Sequence, residues 1–273
     1  MSDLYQGKTA LITGASSGIG EAFAHELARR GMHLILVARS ETHLNELAHE
    51  LSSRYQIQTH VLAADLSQHQ AIQQIKEAVE SRSLTVDLLI NNAGFATYDY
   101  FEQIDPERDH QQVMVNVNAV VALSHAFLPG MLRRGAGSII NIASRGAFQP
   151  APFMSVYAAS KAFVLSFSQA LWAEYRKRGI HVLAVCPGPV DTHFFAVAGG
   201  ARRGIEAKAT PEFIVNASLR ALERRRSLII PGWRIFLTSQ IVSRLLPRPF
   251  VAQLVEHLTH PGQSKPTGQV VRA

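Results

Sequence analysis

Thr9-Ala-Leu-Ile-Thr-Gly-Ala-Ser-Ser-Gly-Ile-Gly20, running on into Glu21-Ala-Phe-Ala-His-Glu-Leu-Ala-Arg-Arg30, sets an apolar strand against a glycine turn and an amphipathic helix. Gly14, Gly18 and Gly20 allow a tight turn and a close backbone approach. The helix N-terminus beyond them offers unpaired N–H groups and a positive dipole end to a pyrophosphate. Three residues separate the first two glycines, so the spacing departs from G-x-G-x-x-G. A glycine-rich turn without a ligand is the plain alternative. Strand, turn and helix in this order favour dinucleotide binding.

Outward from this turn, short apolar runs alternate with amphipathic segments. The pattern predicts strands at Thr9–Thr13, His33–Ala38, Gln58–Ala63, Leu88–Asn91, Ser138–Ile142, His181–Val185 and Leu228–Pro231. Helices are predicted near 19–30, 41–54, 68–82, 107–134, 155–178 and 211–224. Such alternation implies an α/β fold of Rossmann type, a doubly wound parallel seven-stranded sheet with helices on both faces. Coverage on both faces explains why Leu34-Ile-Leu-Val37 and Val182-Leu-Ala-Val185 are apolar without alternation. The division expected is a catalytic, dinucleotide-binding domain over 1–232 and a C-terminal helical extension over 233–273, packed on that domain or on a neighbouring subunit.

A hydrophobic content of 47% with 18% charged residues in 273 describes an ordinary globule with a sizeable core. Cys186 is the one cysteine, so no internal disulfide forms and a reducing compartment is expected. With neither a signal-like start nor an uninterrupted apolar run of about 18 residues, the expected location is the cytoplasm. Charge is uneven. Residues 201–273 carry twelve Lys/Arg against four Glu, +8 of the formal +6, which leaves −2 for the rest. A basic C-terminal part suits an anionic substrate, carrier or membrane surface. Nucleic acid is disfavoured, since basic and aromatic residues do not interleave.

The second strand ends Leu36-Val-Ala-Arg39-Ser40. An acidic side chain near this place reads the ribose 2′-hydroxyl of NAD, and an arginine accepts the 2′-phosphate of NADP. Arg39 therefore points to NADP(H), against the alternative of an ordinary loop cation. Asp65, after the third strand, is placed to meet the adenine edge or to cap the next helix. Tyr157 and Lys161 stand four residues apart in Ser155-Val-Tyr-Ala-Ala-Ser-Lys161, on one helix face. An ammonium beside a phenol lowers the phenol pKa from about 10. A phenol so tuned can exchange a proton with an alcohol or carbonyl near neutral pH. Alone, the spacing also fits a solvated helix face.

Thr13-Gly-x3-Gly-Ile-Gly20, Asn91-Asn-Ala-Gly94, Ser144, Tyr157-x3-Lys161 and Pro187-Gly188, in this order along residues 8–192, resemble the short-chain dehydrogenase/reductase family. The stretches Ser144–Pro152 and Tyr157–Phe167 are more narrowly similar to a bacterial branch labelled DltE-like, near the ketoacyl and hydroxysteroid reductases. The resemblance implies a general acid/base in Tyr157 and a pKa-lowering, ribose-holding cation in Lys161. It implies a hydrogen bond from Ser144 to the substrate oxygen. Asn116, preferred to Asn118, would hold a proton-relaying water. Around the cofactor it places Gly14, Ser16, Ser17, Gly18, Ile19, Gly20, Arg39, Ser40, Asp65, Leu66, Asn92, Ala93, Gly94, Pro187, Gly188, Val190 and Thr192, together with Tyr157 and Lys161. Ala143 stands where the family often has a further serine.

The implied reaction is hydride transfer between NADP(H) and a ketone or secondary alcohol. Phe148, Phe153, Met154, Phe194 and Phe195 flank the motifs and suggest a hydrophobic substrate, with 3-oxoacyl thioesters ahead of steroid-like or small ketones. Core packing is the alternative for those side chains. The competing functional readings are a catalytically silent nucleotide-binding regulator and a membrane-surface protein. Twelve histidines are scattered, with His257 and His260 the closest pair and no third ligand, so no metal is expected. Ile235, Leu237, Ile241, Val242, Leu245 and Leu246 share one helix side, and Pro247 and Pro249 break it. Packing or a lid is favoured there over peripheral membrane contact. A homodimer or homotetramer through helices 107–134 and 155–178 is expected.

Overall fold

The computed structural model describes residues 4–191, 209–237 and 246–260. Seven strands form one parallel sheet: β1 Thr9–Thr13, β2 His33–Ala38, β3 Thr59–Ala63, β4 Leu88–Asn91, β5 Gly137–Ile142, β6 Ile180–Val185 and β7 Leu228–Ile229. Their order is β3-β2-β1-β4-β5-β6-β7, in parallel register such as Ile12↔Leu36 and Ile12↔Ile90. The winding reverses between β1 and β4. In such sheets ligands bind at the carboxyl ends of the strands beside that reversal. β7 is shorter than predicted because Pro231 has no N–H to pair, and Gly232 turns the chain at φ +97°.

Helices cover both faces: α1 Gly18–Arg29, α2 Glu41–Tyr55, α3 Ala71–Ser81, α4 Pro106–Val113, α5 Ala119–Arg134, α6 Ser155–Tyr175 and α7 Pro211–Glu223. Successive strand residues go to opposite faces. Ile12, Leu34, Leu36, Ile90 and Leu183 pack with Phe23, Leu27, Leu44, Leu51, Ile214 and Leu219 of α1, α2 and α7. Leu11, Ile35, Val37, Leu89, Ile139 and Val182 pack with Ile75, Val79, Leu123, Phe127, Met131 and Leu171 of α3, α5 and α6. Two buried faces account for the unbroken apolar runs.

Two helices differ from expectation. α3 begins at Ala71 because Asp65 Oδ1 accepts hydrogen bonds from the N–H and hydroxyl of Ser67, at 3.0 and 2.8 Å, and holds residues 65–67 in a turn. Asp65 is thus not a helix cap. The span 107–134 is not a plain α-helix: α4 and α5 join through a π turn, Met114–Asn118. The 29 residues Pro106–Arg134 are long and apolar enough to cross a membrane by composition. Leu123, Phe127, Leu128 and Met131 nevertheless pack into the sheet core, which marks a core helix.

The chain ends with α8 Trp233–Leu237 and α9 Arg248–Thr259. Of the helix side read from Ile235 to Leu246, residues 238–245 lie outside the described residues. Pro247 and Pro249 open α9 rather than only ending what precedes them. Pro247 is its N-cap and Pro249 lies in its first turn, where a missing N–H costs nothing. α9 buries Val251 and Thr259.

Candidate active site

At the phosphate end, Gly14 and Gly18 have φ of +65° and +59°, which side-chain-bearing residues rarely adopt. A Cβ on Gly20 would run into the Gly14 carbonyl oxygen and sit 2.6 Å from Asn92 Nδ2. Glycine therefore lets α1 start directly under the turn. Thr13 Oγ1 donates to the Ile90 carbonyl and accepts from the N–H groups of Asn92 and Ala93. Asn92 Nδ2 donates to the carbonyls of Thr13 and Gly14. The glycine turn and the 92–94 segment are thus fastened together across the reversal. Ser17 is the N-cap of α1 but makes no side-chain cap, which leaves the first-turn N–H groups to a ligand. Ser16 and Ile19 flank it. The donor set and glycine cradle fit a dinucleotide pyrophosphate.

Further out, Arg39 is exposed at the carboxyl end of β2. Ser40 caps α2, its hydroxyl accepting from the His43 N–H at 3.5 Å. Leu66 and Val190, expected at the cofactor, are 6% and 7% exposed. Their side chains lie in the two core clusters.

The catalytic candidates converge at the ends of β4 and β5. Ser144 follows β5 and caps the 3₁₀ turn Arg145–Phe148, its Oγ accepting from the Gly146 N–H at 3.1 Å. That bond uses a lone pair and leaves the hydroxyl proton to donate. A Cβ on Gly146 would lie 3.6 Å from Ser144 Oγ and 3.9 Å from the Tyr157 ring, ordinary contact distances that place position 146 beside both. Lys161 Nζ lies 5.9 Å from the Tyr157 ring centroid and donates to the Ile142 carbonyl at 2.8 Å. Lys161 is 4% exposed, and burial pushes its ammonium down from 10.5 to about 8. It remains mostly charged at pH 7. Cys186 lies close by, its thiol pushed up to about 12 by burial, which makes it an inert filler.

Asn116 is fully buried in the π turn. Its Oδ1 accepts from the Phe95 N–H, and its Nδ2 donates to the Phe95 carbonyl and to Ser160 Oγ, at 3.1, 3.0 and 3.1 Å. With both amide hydrogens engaged, the Asn116 side chain has no proton left to donate to the water implied for it. Turns of the π kind widen the helix ladder and recur at functional sites. Gly94 is the contact point: a Cβ there would lie 2.9 Å from Asn116 Oδ1 and 3.2 Å from Lys161 Nζ.

Pro187 and Gly188 border the site after β6. A Cβ on Gly188 would clash with Ile235 of α8, so the extension seats directly on this loop. Thr192, Phe194 and Phe195 lie outside the described residues. Of the other apolar candidates, Phe148 packs with the core around Val164 and Cys186. Met154 packs with Ala96, Tyr98 and Tyr157. Phe153, at φ +64°, meets Tyr98, Tyr100 and His260 edge-on. Tyr98 OH donates to the Thr259 carbonyl, and Tyr100 OH lies 3.0 Å from His260 Nε2. These contacts clasp α9 to the loop beside Tyr157.

Ser160, Asn141 and Ser168 are parts of the site with no motif of their own in the sequence, although Asn91, which joins them, opens the Asn91–Gly94 motif. Ser160 accepts from Asn116 and donates to the Tyr157 carbonyl at 2.7 Å, so one hydroxyl joins two of the candidate residues. Asn91, Asn141 and Ser168 form a buried chain, with Asn91 Nδ2 to Asn141 Oδ1 at 2.8 Å and Asn141 Nδ2 to Ser168 Oγ at 2.9 Å. That chain pins α6, which carries Tyr157 and Lys161, to β4 and β5. The only signal for these three was a polar residue in an otherwise apolar run.

The short chain dehydrogenase family profile matches residues 8–201. The chain belongs to that family, and with it to the nicotinamide-dependent oxidoreductases. It is 35% identical over 254 residues to the very-long-chain 3-oxoacyl-CoA reductase of Anas platyrhynchos, covering 88% of this chain and 79% of the relative. It is 38% identical over 189 residues to hydroxysteroid dehydrogenase-like protein 1 of Gallus gallus, covering 68% of this chain and 56% of the relative, little more than half its length. A short-chain dehydrogenase of Sphingobium yanoikuyae, solved with NADPH, superposes with a TM-score of 0.80 at 33% identity, over 94% of this chain and 98% of that one.

Proposed function

We propose that the chain is an NADP(H)-dependent reductase of hydrophobic ketones, with 3-oxoacyl thioesters as the leading substrate class. The observation that carries it is the Ser144 hydroxyl, its proton uncommitted among the described residues, beside Gly146 with the Tyr157 ring, one helical turn from buried Lys161. When bound, the nicotinamide supplies or accepts the hydride. The chain does the rest. Ser144 and Tyr157 are two donors for an oxygen that gains negative charge at the transition state, so they favour it over the ground-state carbonyl. Tyr157 gives the proton in reduction and takes it in oxidation. Lys161 has further N–H groups for ribose hydroxyls, and its charge favours the phenolate.

Arg39, exposed and with no acidic neighbour at position 38 or 40, supports the choice of NADP(H). The very-long-chain 3-oxoacyl-CoA reductases among its relatives support the substrate class, as does the clasp of Tyr98, Tyr100 and Phe153. A single buried cysteine fits a reducing cytoplasm, which we take as its location. Exposed Val113 on α4 and Phe163 on α6, the latter stacked on Phe167, suit the dimer or tetramer expected through these helices. The test is cofactor oxidation across a panel of acyl-thioester, steroid and short-chain ketones with NADPH and NADH. NADPH-dependent turnover of an acyl thioester is the expected result. A strong NADH preference, or Arg39→Ala leaving the NADPH KM unchanged, removes the role of Arg39.

A further inference from the structure

Three arginines among the described residues are half-buried: Arg30, Arg108 and Arg145. Arg30 reaches Glu26 at 2.8 Å and Glu223 at 2.6 Å. Arg108 lies 4.6 Å over the Phe95 ring and 3.4 Å from Gln111 Oε1. Among the described residues Arg145 has neither carboxylate, ring nor side-chain acceptor. Burial is the sole influence on its guanidinium, whose pKa it lowers. Withdrawing a cation from water without a partner is costly. A guanidinium offers five donors in a planar fork suited to oxyanions.

Its place is equally specific. Arg145 follows Ser144 directly, and its N–H donates to the Pro187 carbonyl at 2.8 Å, which ties it to the loop after β6. In the turn 145–148, Ala147 and Phe148 pack inward on the core around Val164 and Cys186. Gly146 faces Ser144 Oγ and the Tyr157 ring. Arg145 is thus rooted between the Ser144 hydroxyl, one residue away, and the loop after β6.

We propose that Arg145 is an anion-recognition residue of the substrate pocket, selecting ketones or secondary alcohols that carry an oxyanion (carboxylate, phosphate or sulfonate) within a few bonds of the reacting carbon. This rests on the reductase reading and moves its substrate class from acyl thioesters, whose nearest oxyanion lies many bonds from the ketone, to ketones with an adjacent oxyanion. The other source of the same chemistry is a phosphate of the cofactor. The test compares wild type with Arg145→Met and Arg145→Lys, NADPH-saturated, on 3-oxohexanoate and its ethyl ester. NADPH Kd is measured by fluorescence, and thermal shifts with hexanoate and hexanamide supply a readout that needs no turnover.

Arg145→Met is expected to lower kcat/KM on the acid by about tenfold or more, the worth of a charge-assisted hydrogen bond. The ester should change little, Arg145→Lys should recover part of the loss, and the shift by hexanoate should disappear. Equal losses on acid and ester, or none on the acid, overturn the proposal. A weakened NADPH Kd with substrate preference intact assigns Arg145 to the cofactor and also overturns it. Should wild type reduce neither ketone, nor any acyl-thioester, steroid or short-chain ketone of the panel, the reductase reading fails by itself. The shift by hexanoate, present in wild type and absent in Arg145→Met, then still supports Arg145, and its absence from wild type sinks it.

Discussion

Lys161→Met makes a sharp test because it separates what the site needs from what the fold prefers. The ammonium is buried and, among the described residues, has one protein acceptor, the Ile142 carbonyl. Its pKa falls from 10.5 to about 8 through burial. A lysine with a depressed folded pKa destabilises the fold where it is charged, below about pH 8. That penalty fades as pH rises toward 10.5, because the unfolded chain holds the proton longer. At 1.36 kcal/mol per pH unit the penalty is about 3 kcal/mol at pH 7 and under about 1 kcal/mol at pH 10.

Removing the amine also strands the Ile142 carbonyl, at a cost of about 1–3 kcal/mol. That cost is the same at every pH, since the neutral amine donates too. The readout is therefore the difference in unfolding free energy between the cofactor-free wild type and the variant, by denaturant titration from pH 7 to pH 10. Wild type should gain on Lys161→Met by roughly 2–3 kcal/mol over that range, while the variant shows essentially no turnover at any pH. A difference that stays flat with pH refutes the reasoning, because it means that the ammonium is solvated in the folded protein.

Tyr157→Phe should retain NADPH affinity and lose turnover by about 10²–10⁴-fold, read by single-turnover kinetics beside fluorescence titration. Ser160→Ala removes the hydroxyl between Asn116 and the Tyr157 carbonyl. It should lower kcat about tenfold with KM little changed, and Ser160→Thr should restore most of it. Gly20→Ala forces a methyl against the Gly14 carbonyl and Asn92 Nδ2, neither of which can yield without opening the turn. NADPH binding should disappear and stability fall by about 1–3 kcal/mol, measured by calorimetry.

Most of the sheet is legible in the sequence because its signal is local. Strands β1, β2 and β4 begin and end where the apolar runs do, and β5 and β6 extend them by one residue. The glycine turn is equally plain, since its order of elements is itself the argument. The π turn escaped because nothing in Met114-Val-Asn-Val-Asn118 encodes it locally. It goes with the capture of Asn116 by Phe95, twenty-one residues earlier. Ser160 reads as an ordinary helix serine until Asn116, 44 residues away, is placed against it. Leu66 and Val190 show the opposite limit: position along the chain put them near a cofactor, but burial sends their side chains into the core. The clasp joins positions 161 and 160 residues apart, beyond any pattern of spacing.

That clasp bears on how the protein is made and handled. Ser144, Tyr157, Lys161 and strands β1–β6 are all encoded by residue 185, so a ribosome emits the chemistry well before Thr259 and His260. A nascent or clipped chain ending before α9 would carry the catalytic side chains with the loop at Tyr98 and Tyr100 unfastened. For the bench worker the rule is to keep α9 whole in any shortened version, because that helix fastens the loop beside Tyr157.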